Sequence, residues 1–372
     1  MRRKKYSAKK RYLGRNIRMI LFVILVMLAA AGLLLNALLD QEIGKMSRAE
    51  INFANVDVNS SMRENSPDAQ GYKTIALVGL DSRDESKESG NSDTMMILSI
   101  HTSTGEVRIA SLYRDTFLRI SQGDYQKANA AYNRGGPELF LSMLNTNLDL
   151  NITDFVTVDF SVMIDMIDIL GGIDMTLTAD EVVMMNDYCE GTSEITGKPY
   201  QAIEPEVEGT YHLTGIQAVS YMRIRYGYGL EFRRTLRQRA VVLKMLEKMK
   251  SASLPTLYRL LDVLLPGIYT NMTKEEILPL ALSIKKYNIG DTTGFPFDHV
   301  IGEYAQAATG LDCVLPVTLE SNVIKLHEFL YPDLPYAPSE ELITYSDYIT
   351  ELTGYGEDDI PESSVDGGEM PS

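Results

Sequence analysis

The 372 residues carry 51 acidic and 35 basic side chains, for a formal net charge of −16. That balance excludes nucleic acid as a partner held by general electrostatics, and equally a surface that lies flat on an anionic bilayer. Any anion bound by such a chain must be held by a local basic cluster working against the overall field.

The charge is unevenly spread. Nine Lys and Arg, and no acid, fall between Arg2 and Arg18, so removing this tail leaves −25 for the rest. Met19 to Leu35 is an unbroken apolar run that continues through Asn36 to Leu39. At about 1.5 Å per residue, some twenty helical residues cross a hydrocarbon core of roughly 30 Å. Residues 1–18 are therefore read as a basic cytoplasmic tail and 19–39 as a single transmembrane helix, with everything after Leu39 outside the membrane. A cleaved signal peptide is the competing reading, but its apolar region is typically only about 7–15 residues long. The expected location is the cell membrane, with one pass and an extracytoplasmic main domain.

Residues 40–71 are polar and rich in Asn and Ser, and are read as a stalk. Thr74 to Leu80 is a short β-rich run, followed by two more, Met95 to His101 and Val107 to Leu112, around the turn signal Thr104-Gly105. Gly135-Gly136-Pro137 opens a helix over Glu138 to Leu148. Phe155 to Val158 reads as a strand, and Phe160 to Leu170 as a helix that stops at Gly171-Gly172. Leu213 to Ile224 and Arg234 to Met249 read as helices, and Thr273 begins another with Glu275 and Glu276 in its first turn. Strands interleaved with helices predict an α/β layered domain. Residues 72–250 form its core, 251–350 pack on it, and 351–372, with seven acids and no base, form a disordered tail.

Cys189 and Cys313 form no CxxC and lack zinc-site spacing. In an exported domain they are expected to be joined, a closure contributing about 4–5 kcal/mol by the loop-entropy account. Two buried thiols are the alternative. HExxH, Walker A and GxSxG patterns are absent, and the four histidines stand isolated.

Three groups of residues carry chemistry. Asp81 follows the first strand and Asp93 precedes the second, so adjacent strands bring both carboxylates to one sheet edge. There they suit either a hard cation such as Mg²⁺ or the simple capping of turns. Arg114-Asp115 ends the third strand, with Lys127 and Asn129 close behind as anion contacts. A strand end of an open α/β sheet is the usual ligand crevice. The strongest group is six arginines within seventeen residues (Arg223, Arg225, Arg233, Arg234, Arg237 and Arg239), opposed by Glu231. Guanidinium grips phosphate oxygens bidentately, and in so acidic a chain the cluster points to a phosphate or pyrophosphate. Arg234, Arg237 and Gln238 fall on neighbouring positions of one helix.

At these residues the chain resembles the LytR–CpsA–Psr family of cell-wall glycopolymer transferases. The ordered set from about Tyr72 to Met249 carries the resemblance. It includes Leu80-Asp81-Ser82-Arg83, Ser92-Asp93-Thr94, Tyr113-Arg114-Asp115-Thr116, Lys127-Ala128-Asn129, Val158-Asp159-Phe160, Leu213-Thr214-Gly215 and Arg237-Gln238-Arg239. The resemblance implies a three-layer α/β/α sandwich around a mixed central sheet, preceded by one transmembrane helix. It implies transfer of a polyprenyl-pyrophosphate-linked glycopolymer, of teichoic acid or capsule type, onto peptidoglycan through a phosphodiester. By motif position, Asp81 and Asp93 are the acids that hold Mg²⁺ and, with Arg114, the catalytic set. Arg83, Lys127, Asn129, Arg223, Arg225, Arg234, Arg237 and Gln238 are the substrate contacts. Glu231-Phe232-Arg233-Arg234 departs from the family's Asp-Phe-Gly-Arg, which puts Arg233 in question. A hydrolase of the same lipid-linked pyrophosphate, or a carrier without catalysis, would use the same residues.

Overall fold

The computed structural model describes residues 47–81, 90–225, 230–273, 276–277, 279–280 and 283–359. The basic tail and the proposed membrane helix at 19–39 lie outside the described residues. Among those described, no helix is long and apolar enough to cross a membrane.

A seven-stranded mixed sheet forms the centre. The first part of the chain supplies strand β1 (Ser47–Arg48) and the short helix α1 (Ser60–Glu64), then β2 (Tyr72–Asp81), β3 (Asn91–His101) and β4 (Glu106–Leu112). The hairpin β5 (Phe117–Ser121) and β6 (Asp124–Lys127) leads to helix α2 (Ala130–Asn147), β7 (Asp154–Asp159) and α3 (Phe160–Ile169). Then come β8 (Ile173–Leu177), α4 (Ala179–Thr196), β9 (Gly209–Leu213), α5 (Gly215–Arg223), α6 (Leu230–Ser251) and α7 (Leu254–Gly267). The last part holds β10 (Ile268–Thr270), β11 (Asn288–Phe295), β12 (His299–Val300), α8 (Glu303–Thr309), β13 (Leu315–Pro316), α9 (Leu319–Leu330) and α10 (Glu340–Thr353). The sheet order is β1-β10-β7-β2-β3-β4-β11. β2 runs parallel to β7 and antiparallel to β3, so the ends of β2 and β7 and the start of β3 share one edge.

Alternation along the strands divides the core. Ala76, Val78, Leu80, Met95, Ile97, Ala110 and Leu112 face a cluster with Phe140 and Leu144 of α2, Val323 and Leu326 of α9, and Leu342 and Ile349 of α10. The intervening Leu77, Met96, Leu98, Ile100, Val107 and Ile109 meet Val242, Leu243 and Leu246 of α6. Helices therefore cover both faces of the sheet. A separate apolar cluster fills the space among α3, α4, α5, α6, α7 and the β8–β9 ribbon.

Local signals explain the boundaries. Gly136 has φ 58 and ψ −154, a conformation that glycine tolerates without a Cβ clash, and Pro137 restarts the helix after it. The expected helix from Glu138 is thus the second limb of a kinked α2. Thr178 and Glu181 form a capping box for α4, and Thr214 and Gln217 do the same for α5. A Cβ on Gly215 would come within 2.2 Å of the Ile164 carbonyl oxygen, so the Leu213-Thr214-Gly215 motif lets α5 press against α3.

Three expectations are corrected. From residue 47 the segment read as a stalk is part of the fold. β1 pairs with β10, Val56 and Met62 are buried, and Asn59 donates to the Thr146 carbonyl (2.8 Å) and the Asp149 carboxylate (2.5 Å). Its polar composition serves these bonds rather than solvent. The cysteines are both free and buried, with Cys189 in the helical cluster and Cys313 in the α2-side cluster, so they cannot meet. The C-terminal tail begins later than 351, because α10 runs to Thr353 and a 3₁₀ turn covers Glu357–Asp359. Residues 360–372 lie outside the described residues. The apolar faces of α9 and α10 complete the sheet's core.

Candidate active site

The site forms at the shared strand edge. Gly79 pairs with Thr94 but Leu80 pairs with Ser92, so Asp93 is the extra residue of a β-bulge. A bulge leaves one residue outside the ladder and re-aims its side chain. Asp93 uses this to enter the crevice with 10% of its side chain exposed. Asp81 ends β2 opposite Asn91, which bears out the shared edge for the backbone. The Asp81 side chain, and Ser82 and Arg83 entirely, lie outside what is described.

Three arginines converge on Asp93. Arg114 donates to Oδ1, Arg225 donates to Oδ2 at 2.9 Å, and Arg234 lies 3.6 Å from Oδ2 while donating to the Asp93 carbonyl at 3.2 Å. Arg114 sits on the turn after β4, where its carbonyl accepts from Asn129 N at 2.9 Å. Its Nε lies 3.4 Å from Asp115 Oδ1, and Lys127 Nζ lies 3.6 Å from Asp115 Oδ2. Asp115, given no role of its own in the sequence reading, thus links Arg114 to Lys127. Asn129 enters this group through its main chain.

Beside Asp93 opens a cavity of about 130 Å³ lined by Phe160, Tyr188, Met222, Arg223, Arg225, Arg234 and Gln238. Arg223 donates to Thr192 Oγ1 at 2.9 Å, with its guanidinium 5.2 Å from the centre of the Phe160 ring. The Arg225 amide donates to Tyr188 Oη at 3.2 Å. The lining is therefore mixed, with three guanidinium groups and the Asp93 carboxylate beside the apolar Phe160 and Met222. Asp159 accepts from Val162 N at 2.9 Å, capping α3 and fixing Phe160 at its first position.

The arginine cluster divides. Arg234 and Gln238, four residues apart, reach the cavity. Arg237 is displaced about 60° round the helix from Arg234 and about 100° from Gln238. It pairs with Glu181 at 3.0 Å, donates to the Ile224 carbonyl at 3.3 Å and lies over Tyr221. With 5% of its side chain exposed, Arg237 braces α6 against α4 and does not line this cavity. Arg233 faces solvent. Phe232 holds the start of α6, packing edge-on to Tyr113 (4.5 Å) and flat on His299 (4.6 Å). This trio ties the start of α6, which carries Arg234, to the turn after β4, which carries Arg114. Sequence reasoning missed Asp115, Phe160, Tyr188 and Thr192. Phe160 stood in a quoted motif, whereas Tyr188 and Thr192 lie on a helix whose approach depends on the fold.

Among the described residues, no group of three His, Cys, Asp or Glu could hold a metal. Asp93 offers the hard oxygen that Mg²⁺ prefers, but both of its oxygens are engaged by guanidinium.

The family described as LytR_cpsA_psr matches residues 39–308, well over half of the chain. Biofilm regulatory protein A of Streptococcus mutans is 27% identical over 277 residues, 70% of this chain. The polyisoprenyl-teichoic acid–peptidoglycan teichoic acid transferase TagU of Bacillus cereus is 28% identical over 215 residues, 57% of this chain. The chain spans 64% of the length of each of these relatives. A solved structure of TagT bound to LI-WTA shares the fold with a TM-score of 0.57 at 18% identity, covering 77% of this chain and 99% of that one. The motifs along the strand edge, the mixed sheet and the family match agree, and the chain belongs to the LytR_cpsA_psr family.

Proposed function

We propose that this protein is a phosphotransferase that moves a polyprenyl-pyrophosphate-linked glycopolymer of teichoic acid or capsule type onto peptidoglycan. The observation that carries the reading is the cavity at Asp93, whose lining combines Arg223, Arg225 and Arg234 with the apolar Phe160 and Met222. A pyrophosphate joined to a prenyl chain has that same mixed character. The name of the Bacillus cereus relative supports the reaction class. The helices on both sheet faces support the three-layer α/β/α arrangement, and the apolar run at 19–39 supports a single membrane anchor. Such an anchor would confine the main domain to the outer leaflet, where the lipid-linked donor resides.

In the reaction, the oxygen of an acceptor hydroxyl forms a bond to the sugar-linked phosphorus. The bond from that phosphorus to the bridging oxygen breaks, and polyprenyl phosphate leaves. Phosphoryl transfer asks for positioning and charge neutralisation more than covalent help. Arg223, Arg225, Arg234 and Gln238 would hold the pyrophosphate, with Arg114 and Lys127 on the flank beyond Asp93. Phe160 and Met222 would receive the first prenyl units. Asp81 is assigned the proton of the acceptor hydroxyl. Asp93, with Asp81, would hold Mg²⁺ once substrate phosphates draw its arginines away. The chemistry a bound Mg²⁺ supplies is neutralisation of charge on phosphate oxygens.

The test combines the full chain in detergent, Mg²⁺, a short polyprenyl-pyrophosphate glycan and a peptidoglycan oligomer. Mass spectrometry should find the glycan joined to the oligomer through a phosphodiester, and Arg223→Ala should abolish it. Free glycan phosphate as the main product would make the protein a hydrolase, and intact lipid without product would make it a carrier.

A further inference from the structure

We infer that Asp93 is an internal stand-in for phosphate, a carboxylate that pairs with the arginines of the site and is displaced by the incoming pyrophosphate. The inference rests on the reading of this cavity as a pyrophosphate site. Carboxylate and phosphate compete for the same guanidinium fork. Arg114 and Arg225 hold one oxygen of Asp93 each, and Arg234 holds its carbonyl as well as approaching the carboxylate.

Two further observations give the displacement a direction. Arg223, on the same cavity, is hydrogen-bonded to the neutral hydroxyl of Thr192, which makes it the natural first contact for an anion. Arg225 is 40% exposed, and an ion pair with so exposed a partner is weak enough to exchange. Asp115 repeats the arrangement on the other flank, shared between Arg114 and Lys127. A charged carboxylate in this position has opposite effects on binding. It keeps the arginines gathered, which favours the anion, and it repels the anion while using the donors the anion needs. Phe232 and the bond from Asn129 N to the Arg114 carbonyl already brace Arg234 and Arg114, so the gathering role is partly redundant and repulsion dominates.

The proposal makes the acid an internal competitor, so removing its charge should strengthen binding of a bare anion. Isothermal titration of the full chain in detergent with inorganic pyrophosphate, in buffer containing EDTA, measures this directly. Asp93→Asn should bind about tenfold more tightly than the wild type, the order expected from removing one charge near an anion in partly screened surroundings. Asp115→Asn should show a smaller gain of about threefold, since among the described residues its carboxylate pairs with Arg114 and Lys127, on the flank away from the cavity. A gain in Asp93→Asn supports displacement, and where that variant does not fold, the gain in Asp115→Asn carries the test. Equal or weaker binding in the folded variants overturns the displacement while leaving the pyrophosphate site standing. A wild type that binds no pyrophosphate, with variants that also bind none, overturns the site reading and the inference together.

Discussion

The two lobes that meet at Asp93 are packed with different materials. On the α2 side, Tyr132, Phe140, Phe155, Phe295 and Tyr331 are buried among branched aliphatics, and methionine enters at Met95 and Met143. On the helical side, Met166, Met175, Met185, Met222 and Met245 are buried, with Met163, Met184 and Met249 around them. Aromatic and branched side chains have few rotamers and fix the spacing of the elements they join, whereas methionine is unbranched and fills irregular gaps. The first lobe holds the strand edge that aims Asp93 and Arg114. The second supplies Phe160, Met222 and other residues of the cavity lining, which in the proposed function would receive a flexible prenyl chain. A precise frame on one side and an adaptable wall on the other suit a site that places one phosphorus exactly where an acceptor reaches it but tolerates a mobile lipid.

The largest test of the difference is truncation in each lobe. Phe140→Ala should lower stability by about 3–5 kcal/mol in urea unfolding, whereas Met185→Ala, in a lobe whose methionines can close the gap, should cost only about 2 kcal/mol. Equal losses would remove the distinction. Within the arginine cluster, Arg237→Gln leaves Glu181 without its partner and should cost about 3 kcal/mol. Arg223→Gln should leave the unfolding midpoint nearly unchanged while weakening pyrophosphate binding in calorimetry.

Acid should find the weak point of the rigid lobe. His327 is buried, donates from Nε2 to the Leu148 carbonyl (2.9 Å) and stacks on Tyr336 at 3.6 Å, and burial lowers its pKa to about 4. The unfolded chain protonates this ring near its ordinary value of about 6.5, so the folded state binds fewer protons between the two values. The stabilisation is complete above about pH 6.5 and is lost as pH falls towards 4, at up to about 1.4 kcal/mol per pH unit. Unfolding midpoints at pH 7 and pH 5 should therefore differ less in His327→Gln than in the wild type. The smallest effect concerns the thiols. Cys189 and Cys313 lie in different clusters, so a reducing agent should leave the melting temperature unchanged, and a shift would contradict their placement.

Much of this was legible in the sequence wherever a local rule governed. Short β-rich runs located β2, β3 and β4, and Gly-Gly-Pro located the start of the second limb of α2. The order of motifs carried the family and brought Asp93, Arg114, Arg225, Arg234 and Gln238 to one place. Spacing on a helix did not separate Arg237 from Arg234 and Gln238, because neighbouring positions on a surface can still serve different partners once α4 packs beside it. The segment at 47–71 misled for a related reason. Its asparagines look solvent-exposed, yet Asn59 is buried and bonded to Asp149, whose carboxylate also accepts from Ser339 Oγ (2.6 Å) and Tyr336 Oη (2.7 Å). Partners so far apart along the chain cannot be read from composition. Neither could the bulge at Asp93, which exists only in the register between two strands.

The central claim is that pyrophosphate meets the arginines while its lipid meets the methionine-rich lobe. The most direct measurement is photolysis of a polyprenyl pyrophosphate carrying a diazirine in its first prenyl unit, bound to the full chain, with the labelled residues mapped by mass spectrometry. Labels on Phe160, Tyr188 or Met222 are predicted. Labels concentrated instead on α2 or α9 would place the lipid against the rigid lobe and contradict the account.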